Sequence, residues 1–385
     1  MTNKKRAIAL AGGGPAAGLH IGALAALEKA GIKFDVFALS CVGAWVGIVY
    51  NTRPGKKSRA QETFEFFDKY CFRGDDSYAW FPINRGFGTD VPALLGAWAN
   101  FAFLPGNEWS KLWSPQELQA SIRKSLELLS NPSTVTPQQF NLWILNDVLA
   151  VNPVTRFMTS MLYKSEINGL SKVYYQQSHV LDDVFPPERP LDGKGMPHIY
   201  HNAWKMPRTK SETGAMQIFH NRKKDAKYDN RGYMEISKQS LCACSALPYI
   251  EESVKIGDDI YTEGALVDTV NFKNLLRDHP KLDEVWVNRI VDQSQVKAPR
   301  NLAESLANLP MQFAGEVGEN DIKLFRQHLI NQSRMRPRIV EIPIRPQTNV
   351  TFEWSHSNLQ RGYDEGRESV EQLLEFDPEL KKSTV

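Results

Sequence analysis

The stretch FDVFALSCVGAWVG, residues 34–47, decides the fold of this chain. From Phe34 to Ala38 its apolar residues have the character of a short buried strand, and from Cys41 onward small and apolar residues fit a helix. A sharp turn between the strand and the helix would lift one side chain clear of the sheet. Cys41 occupies that position, so the sequence predicts an exposed cysteine at the start of a helix.

This turn is similar to the nucleophile elbow, whose pattern GxSxG places a serine between two glycines. Leu39 stands at the first glycine, Cys41 at the serine, and Gly43 keeps the second glycine. Ser40 would be the nucleophile if the turn shifted by one residue, but the spacing to Gly43 would then be wrong. Half of the pattern is present, so its meaning depends on the rest of the chain.

A glycine loop lies ahead of the elbow. The short strand Ile8–Ala11 runs into GGGPAAG, residues 12–18, and then into an apolar helix. Glycines between a strand and a helix expose backbone N–H groups, which can hold a phosphate or a developing oxyanion. A P-loop would need Gly-Lys-Ser/Thr, and Gly18 is followed by Leu19 and His20. A dinucleotide fingerprint would need an acid at the end of the second strand, whereas Asp35 begins it.

A third block lies far downstream. Residues 245–248, SALP, precede an expected hairpin over residues 254–262, which ends at Glu263-Gly264-Ala265. The three blocks, in this order, resemble the patatin-like phospholipase family, whose pattern is a glycine-rich oxyanion loop, a GxSxG elbow and an Asp-Gly-Gly or Asp-Gly-Ala block. The family's serine and aspartate form a catalytic dyad. The resemblance extends from Arg6 to about Leu374.

The resemblance implies a three-layer α/β fold with a largely parallel central sheet, helices on both faces and a helical insertion. It places the dyad at Cys41 and Glu263, with cysteine instead of serine and glutamate instead of aspartate. No cofactor and no metal are implied. The implied oxyanion hole and its supporting glycines are Gly12, Gly13, Gly14, Val42, Gly43 and Gly264.

The chemistry of a Cys-Glu dyad depends on two pKa values. A helix N-terminus stabilises a thiolate, so we expect the pKa of Cys41 to lie below the ordinary value of about 8.5. An ordinary glutamate, with a pKa near 4.3, lies about 4 units below a free thiol, which corresponds to about 5–6 kcal/mol. Burial of Glu263 or depression of the thiol pKa must narrow that gap.

Attack by Cys41 would give an acyl-thioester. The sequence therefore favours an acyl hydrolase or acyltransferase that acts on acyl esters or thioesters, and the family resemblance makes a lipid substrate the expectation. The departures from the family pattern keep a rival open, namely a catalytically silent patatin-fold protein that binds an acyl ligand or a protein partner.

Composition fits an enzyme-sized globular chain. The 385 residues are 42% hydrophobic, and the formal net charge of +2 predicts no attraction to nucleic acid. The four cysteines form no disulfide framework in a chain of this length, which is typical of a reducing compartment. No apolar signal segment precedes the first strand, so a cytoplasmic location is expected. Cys242 and Cys244 would need further ligands to hold a metal, and a packed helix is the expectation there.

The predicted organisation has four parts: residues 1–60 with the loop and elbow, an aromatic-rich helical insertion over 61–140, the remaining core over 141–377, and a tail over 378–385. The insertion contains Trp80, Trp98, Trp109 and Trp113, and its residues 91–105, VPALLGAWANFAFLP, carry no charge. This run is too short to cross a bilayer, which takes about 20 residues. It fits a buried helix, a cap over an acyl pocket or a contact with a membrane interface equally well.

Further strands are predicted from short apolar runs over residues 141–146, 198–204, 215–219, 284–288 and 338–342. Strands separated by helical patterns indicate a largely parallel sheet, and ligands bind at the carboxyl ends of such strands. Both Cys41 and the glycine loop follow strands, so they can share that edge. His20, His198 and His201 lie near it, but none falls in a recognisable Ser/Cys-His-Asp block, and packing or surface roles are expected for each.

Overall fold

The computed structural model describes residues 4–72, 75, 99, 115–130, 135–143, 169–171, 179–222, 228, 230–296, 298–299, 302–331, 337–344, 350 and 354–380. The chain divides into two compact units, one of residues 1–89 with 169–385 and one of residues 90–168. The first unit contains the elbow, the glycine loop and Glu263. The predicted boundaries at residues 60, 140 and 377 stay predictions.

The first unit contains the strands. They are β1 Arg6–Leu10, β2 Val36–Leu39, β3 Gly169–Ser171, β4 His198–Lys205, β5 Ala215–His220, β6 Met234–Glu235, β7 Tyr249–Glu251, β8 Val254–Ile256, β9 Asp259–Glu263, β10 Glu284–Asn288 and β11 Arg338–Glu341. Its helices are α1 Ala17–Lys29, α2 Val42–Thr52, α3 Arg59–Tyr70, α6 Val180–Val184, α7 Lys238–Cys244, α8 Phe272–Asp278, α9 Leu302–Asn331 and α10 His356–Phe376.

The central sheet runs in the order β11-β10-β1-β2-β4-β5-β6. Its first five strands are parallel to one another, whereas β5 and β9 pair with β4 in the antiparallel sense and β8 forms a hairpin with β9. The carboxyl ends of β1 and β2 therefore lie side by side, with Leu10 paired to Leu39. The glycine loop after β1 and the elbow after β2 thus begin at neighbouring points of one sheet edge.

Alternation along the strands builds a core on each face of the sheet. One face packs against α1, α2, α7 and α10 through Ile8, Leu10, Phe37 and Leu39. The other face packs against α8 and α9 through Ala7, Ala9, Val36 and Ala38. The result is the three-layer α/β fold with a largely parallel sheet that the sequence predicts.

Helix α1 follows the glycine loop and packs closely on α10. Both helices carry glycines four residues apart, Gly18 and Gly22 on α1 and Gly362 and Gly366 on α10. A Cβ on Gly22 would collide with the carbonyl oxygen of Tyr363, and one on Gly366 with that of Leu19. The missing side chains let the two backbones touch, which fixes the position of α1 behind the loop.

The second unit contains α4, Pro115–Ser130, and α5, Pro137–Trp143, joined by a hydrogen bond of 2.8 Å from Trp143 Nε1 to Ser125 Oγ. The strand predicted over residues 141–146 is wrong where the structure describes it, because residues 141–143 belong to α5. A helix forms here because Thr136 and Gln139 cap its N-terminus. The Thr136 N–H donates to Gln139 Oε1 at 2.9 Å and the Gln139 N–H to Thr136 Oγ1 at 3.2 Å, which caps the first turn.

The other predicted strands are confirmed as β4, β5, β10 and β11, and the predicted hairpin as β8 and β9. The uncharged run over residues 91–105 lies outside the described residues apart from Ala99, as do Trp80, Trp98, Trp109, Trp113 and the last five residues of the tail. Within the described part of the chain, none of the helices combines the length and apolar character needed to cross a membrane.

Candidate active site

Cys41 lies in the turn between β2 and α2, at the residue just before the first residue of α2. Its backbone has φ 49° and ψ −127°, a conformation that side-chain-bearing residues rarely adopt. Such strain costs about 1–3 kcal/mol and persists where the surroundings impose it. The turn is thus the sharp elbow that the sequence predicts, but the predicted exposure of Cys41 is wrong, because the residue is buried and only 8% exposed.

The sheet brings Glu263 to the elbow from the opposite direction. On β4, His201 pairs with Leu39, the last residue of β2, and Ala203 pairs with Glu263, the last residue of β9. Because β9 is antiparallel to β4 and β2 is parallel to it, their carboxyl ends meet on the same edge of β4. The end of β9 is held to Ala246, whose carbonyl accepts from the Glu263 N–H at 2.9 Å.

At this meeting point Cys41 and Glu263 lie against the same glycine: a Cβ on Gly12 would be 3.2 Å from Cys41 Cβ and 3.7 Å from Glu263 Oε1. Glu263 is 5% exposed, and none of the described residues hydrogen-bonds to its buried Oε2 atom. Burial raises the pKa of Glu263 to about 7, and the hydrogen bond from Cys41 offsets part of that rise. Near neutral pH this carboxyl group can both accept and return a proton.

The predicted depression of the Cys41 pKa is wrong in direction. Burial raises the pKa of the thiol well above its ordinary value, and the negative charge of Glu263 and its hydrogen bond raise it further. The N–H of Val42 lowers the pKa of Cys41, as the helix N-terminus argument requires, but this is the smallest contribution. At neutral pH Cys41 is therefore a thiol that needs a base, not a free thiolate.

Gly12 lies against both residues of the dyad. A Cβ on Gly12 would lie 3.1 Å from Ala265 Cβ, 3.2 Å from Cys41 Cβ and 3.7 Å from Glu263 Oε1. A side chain there would make Ala265 and Cys41 shift by a few tenths of an ångström, so glycine at this position lets the dyad residues approach closely. The neighbouring Gly13 packs against Ile290 instead, where a Cβ would be 2.5 Å from Cγ1.

The other glycines predicted for the site are Gly14, Gly43 and Gly264. Gly14, with φ 48°, begins the single 3₁₀ turn Gly14–Ala16 that leads into α1. On Gly43 a Cβ would collide with the carbonyl oxygen of Leu10, so α2 can start against the end of β1 only with glycine there. At Gly264 a Cβ would be 2.8 Å from Asn202 Oδ1. That the N–H groups of Gly13 and Gly14 donate hydrogen bonds to an oxyanion stays a prediction.

Two buried side chains fix the ends of the glycine loop. His20 Nε2 hydrogen-bonds to the carbonyl oxygen of Ala11 at 2.9 Å, and Asn358 Nδ2 donates to that of Pro15 at 3.2 Å. Burial lowers the pKa of His20 to about 4, so its ring is neutral and its Nε2–H donates. In a trans peptide the N–H points away from the C=O. Holding the Ala11 carbonyl toward His20 therefore turns the Gly12 N–H away from His20.

Sequence reasoning missed Cys244 as a neighbour of the elbow. The backbone N–H of Cys41 donates to Cys244 Sγ at 3.1 Å, and the charge of a Cys244 thiolate would raise the pKa of Cys41. Trp45 on α2 also donates from Nε1 to Ser245 Oγ at 3.0 Å. These bonds join the elbow to α7 across some 200 residues of sequence, so no local pattern could have indicated them.

The remaining candidates have other partners. Ser40 is fully buried and its hydroxyl donates to Asn202 Oδ1 at 3.1 Å. His201 Nε2 lies 3.1 Å from Ser240 Oγ, and His198 Nδ1 lies 2.7 Å from His279 Nε2. Cys242 is buried in α7, and among the described residues no group of three or more His, Cys, Asp and Glu side chains is placed to hold a metal ion.

A cavity of about 1080 Å³ lies at the opposite, amino-terminal end of the sheet, where Lys5, Asp35, Pro197 and His279 line it. Neither Cys41 nor Glu263 borders this cavity. The cavity therefore does not form part of the dyad site.

The sequence profile of patatin-like phospholipases matches residues 8–276. This chain belongs to the patatin-like phospholipase family. The matched range includes the glycine loop, the elbow and the Glu-Gly-Ala block, so all three motifs lie within the family region. A comparison with curated proteins gave no match.

Two solved structures are also similar to this chain. VipD from Legionella pneumophila is 12% identical, with 96% of this chain and 67% of that chain covered and a TM-score of 0.34. Human GIVD cytosolic phospholipase A2 is 10% identical, with 99% of this chain and 63% of that chain covered and a TM-score of 0.40. The chain thus spans about two thirds of the length of either structure.

Proposed function

We propose that this chain is an acyl hydrolase or acyltransferase that acts on acyl esters or thioesters, with a lipid as substrate, through a dyad of Cys41 and Glu263. Family membership supports a lipid acyl hydrolase. The observation that carries the proposal is the approach of Cys41 and the buried Glu263 carboxyl group to each other beside Gly12, where a Cβ would be 3.2 Å from Cys41 Cβ and 3.7 Å from Glu263 Oε1. A nucleophile beside a base and next to backbone donors is the arrangement that acyl transfer needs.

In the first step Glu263 takes the proton of the Cys41 thiol while the sulfur attacks the acyl carbonyl carbon. The carbonyl oxygen becomes an oxyanion, for which the Val42 N–H and the N–H groups of the glycine loop are the proposed donors. The C–O or C–S bond of the substrate then breaks. Glu263 returns its proton to the leaving alkoxide or thiolate, which leaves an acyl-thioester on Cys41.

In the second step water, or another acceptor with an O–H, N–H or S–H group, attacks the thioester. Glu263 accepts the proton of that acceptor as its O, N or S atom bonds to the acyl carbon. The C–S bond to Cys41 then breaks, the acyl product leaves, and Glu263 gives the proton to the sulfur, which restores the thiol. A pKa of about 7 suits both transfers, because the carboxyl group is then near equal populations of acid and base at neutral pH. Gly12, Gly13, Gly14 and Val42 are the proposed oxyanion hole, and Gly43 and Gly264 give the elbow and the acid block room to approach.

The test compares turnover of nitrophenyl esters and acyl-thioesters of several chain lengths by wild type and three variants. Cys41→Ala should abolish turnover, and Glu263→Gln should slow it by about 10²–10⁴-fold, the usual range for general acid–base catalysis. Cys71→Ala is the matched control, since Cys71 is also a buried cysteine that forms no disulfide. Equal turnover by wild type and Cys41→Ala would refute the dyad.

The raised pKa of Cys41 favours one alternative, a catalytically silent patatin-fold protein that binds an acyl ligand or a protein partner. A thiol held protonated beside a carboxylate is a poor nucleophile unless the substrate triggers proton transfer. This alternative expects binding of acyl ligands by wild type and Cys41→Ala with equal affinity and no turnover by either.

A further inference from the structure

Asn202 lies at the point where the two halves of the dyad meet. On β4 it is the single residue between His201, which pairs with the end of β2, and Ala203, which pairs with the end of β9. Its side chain is fully buried. It is thus placed between the strand that delivers Cys41 and the strand that delivers Glu263.

The side chain of Asn202 joins the segments that follow these two strands. Its Oδ1 accepts from the hydroxyl of Ser40, the residue before Cys41, at 3.1 Å. Its Nδ2 donates to the carbonyl oxygen of Asp268, in the loop after Glu263, at 2.7 Å. The Ser40 hydroxyl is also 3.4 Å from that carbonyl oxygen, so the three groups form a closed cluster.

The Asp268 end of this cluster is itself held in place. Asp321 on α9 accepts from the N–H of Thr269 at 2.9 Å, and the Thr269 hydroxyl donates to the carbonyl oxygen of Ala265 at 2.6 Å. Asn202 Oδ1 also lies against the Cα of Gly264, where a Cβ would be 2.8 Å away. A displacement of Asn202 would therefore move both Ser40, next to Cys41, and Gly264, next to Glu263.

We infer that Asn202 is a positioning residue that sets the distance between Cys41 and Glu263 by tying Ser40 to the loop after the Glu-Gly-Ala block. The inference rests on the proposed function for its effect on catalysis. Asn202 acts by holding the backbone on either side of the dyad in place, because its hydrogen bonds reach Ser40 and Asp268 and not the reacting groups. Replacement by leucine keeps the approximate size of the side chain and removes both hydrogen bonds.

The test uses Asn202→Leu with Asn221→Leu as the matched control. Asn221 is also buried, accepts from the Ile199 N–H at 2.9 Å and donates to the Leu191 carbonyl at 2.7 Å, but it lies at the other end of β4. Both variants should lower the thermal midpoint. Only Asn202→Leu should slow acylation of Cys41, by about 10–100-fold with KM nearly unchanged, as displacement of reacting groups by about 1 Å does.

A double-mutant cycle of Asn202→Leu with Ser40→Ala tests whether Asn202 acts through Ser40. If Asn202 acts through Ser40, the double variant should be no slower than the slower single variant, whereas independent roles would give multiplied losses. Multiplied losses, or acylation by Asn202→Leu within twofold of wild type, would overturn the inference.

Alkylation of Cys41 by iodoacetamide at pH 9 separates this inference from the proposed function, since it requires no turnover. Loosening the contact with Glu263 should speed alkylation of Cys41 in Asn202→Leu at least fivefold, with Asn221→Leu within twofold of wild type. If no acyl donor modifies wild type but this difference is found, the proposed function fails and the positioning role stands. An unchanged alkylation rate in Asn202→Leu contradicts the positioning role.

Discussion

Glu263 and Cys41 meet at Gly12, where a Cβ would be 3.7 Å from Glu263 Oε1 and 3.2 Å from Cys41 Cβ, and no described residue hydrogen-bonds to the buried Oε2 atom of Glu263. Burial favours the uncharged form of both groups, so the pKa of each lies above its ordinary value. At neutral pH Cys41 therefore holds its proton in the resting state, whereas Glu263, with a pKa of about 7, is present both as the acid and as the carboxylate. Proton transfer from sulfur to carboxylate has to accompany attack on the substrate.

Glu263→Gln should change how stability depends on pH. The native pKa of Glu263, about 7, is above the unfolded value of 4.5, so its contribution to the free energy of unfolding is fully present below pH 4.5 and is lost as pH rises through 7. The full difference is about 3 kcal/mol at 1.36 kcal/mol per pKa unit. In urea unfolding, the free energy of unfolding of wild type should fall between pH 4.5 and pH 8 by this amount more than that of Glu263→Gln. Parallel pH profiles of the two proteins would contradict a raised pKa.

The same variant should make Cys41 more reactive toward iodoacetamide while slowing acylation. Iodoacetamide reacts with the thiolate, and both the charge and the hydrogen bond of Glu263 raise the pKa of Cys41. Removing the charge should lower that pKa and speed alkylation at pH 9. Peptide mass spectrometry would follow Cys41, with Cys71 as the internal control. Slower alkylation of Cys41 in Glu263→Gln would mean that Glu263 promotes the thiolate in the resting state.

Activity should depend on the ionised form of Glu263. We expect kcat/KM to rise with pH and to level off above an inflection near 7, because only the carboxylate can accept the thiol proton. Any residual activity of Cys41→Ser should keep that inflection, since the base is the same. Initial rates between pH 5 and 9 provide the measurement. An inflection that survives in Glu263→Gln would have to come from another group.

Gly43→Ala should destabilise the protein more than Gly31→Ala. A Cβ on Gly43 meets the backbone carbonyl of Leu10, which cannot rotate away, so we expect a loss of about 3 kcal/mol or more, the upper end of overpacking costs. Gly31 has φ 72° and open space around it, so alanine there should cost only the backbone strain of about 1–2 kcal/mol. Urea denaturation of the two variants gives the comparison. Equal losses would mean that α2 can move away from β1.

The layout of the sheet edge follows from sequence because its signals are local. The run over residues 34–38 and the glycines after Ala11 mark strand ends without any knowledge of the fold, and parallel pairing of β1 with β2 places those ends together. The Glu-Gly-Ala block is recognisable only through its resemblance to a family motif. The capping pair of Thr136 and Gln139 is a local helix signal, whereas the apolar run behind it predicts a strand where the structure has α5.

Other parts of the site could not be read from the chain. Cys244 and Asn202 reach the elbow through contacts more than 160 residues apart, which depend on how α7 and β4 pack. The direction of the Cys41 pKa shift depends on burial depth, which sequence does not give. The helix N-terminus was a correct local effect that burial outweighs.

The most direct measurement is the site of acylation. Wild type is mixed with an acyl-thioester or nitrophenyl ester, quenched in acid within its first turnover, and analysed by intact mass and peptide mapping, with Cys41→Ala and Cys71→Ala treated in parallel. We expect one acyl group on the peptide that contains Cys41 in wild type and Cys71→Ala, and none in Cys41→Ala. An adduct on another residue, or equal labelling of Cys41→Ala, would contradict the Cys41–Glu263 dyad.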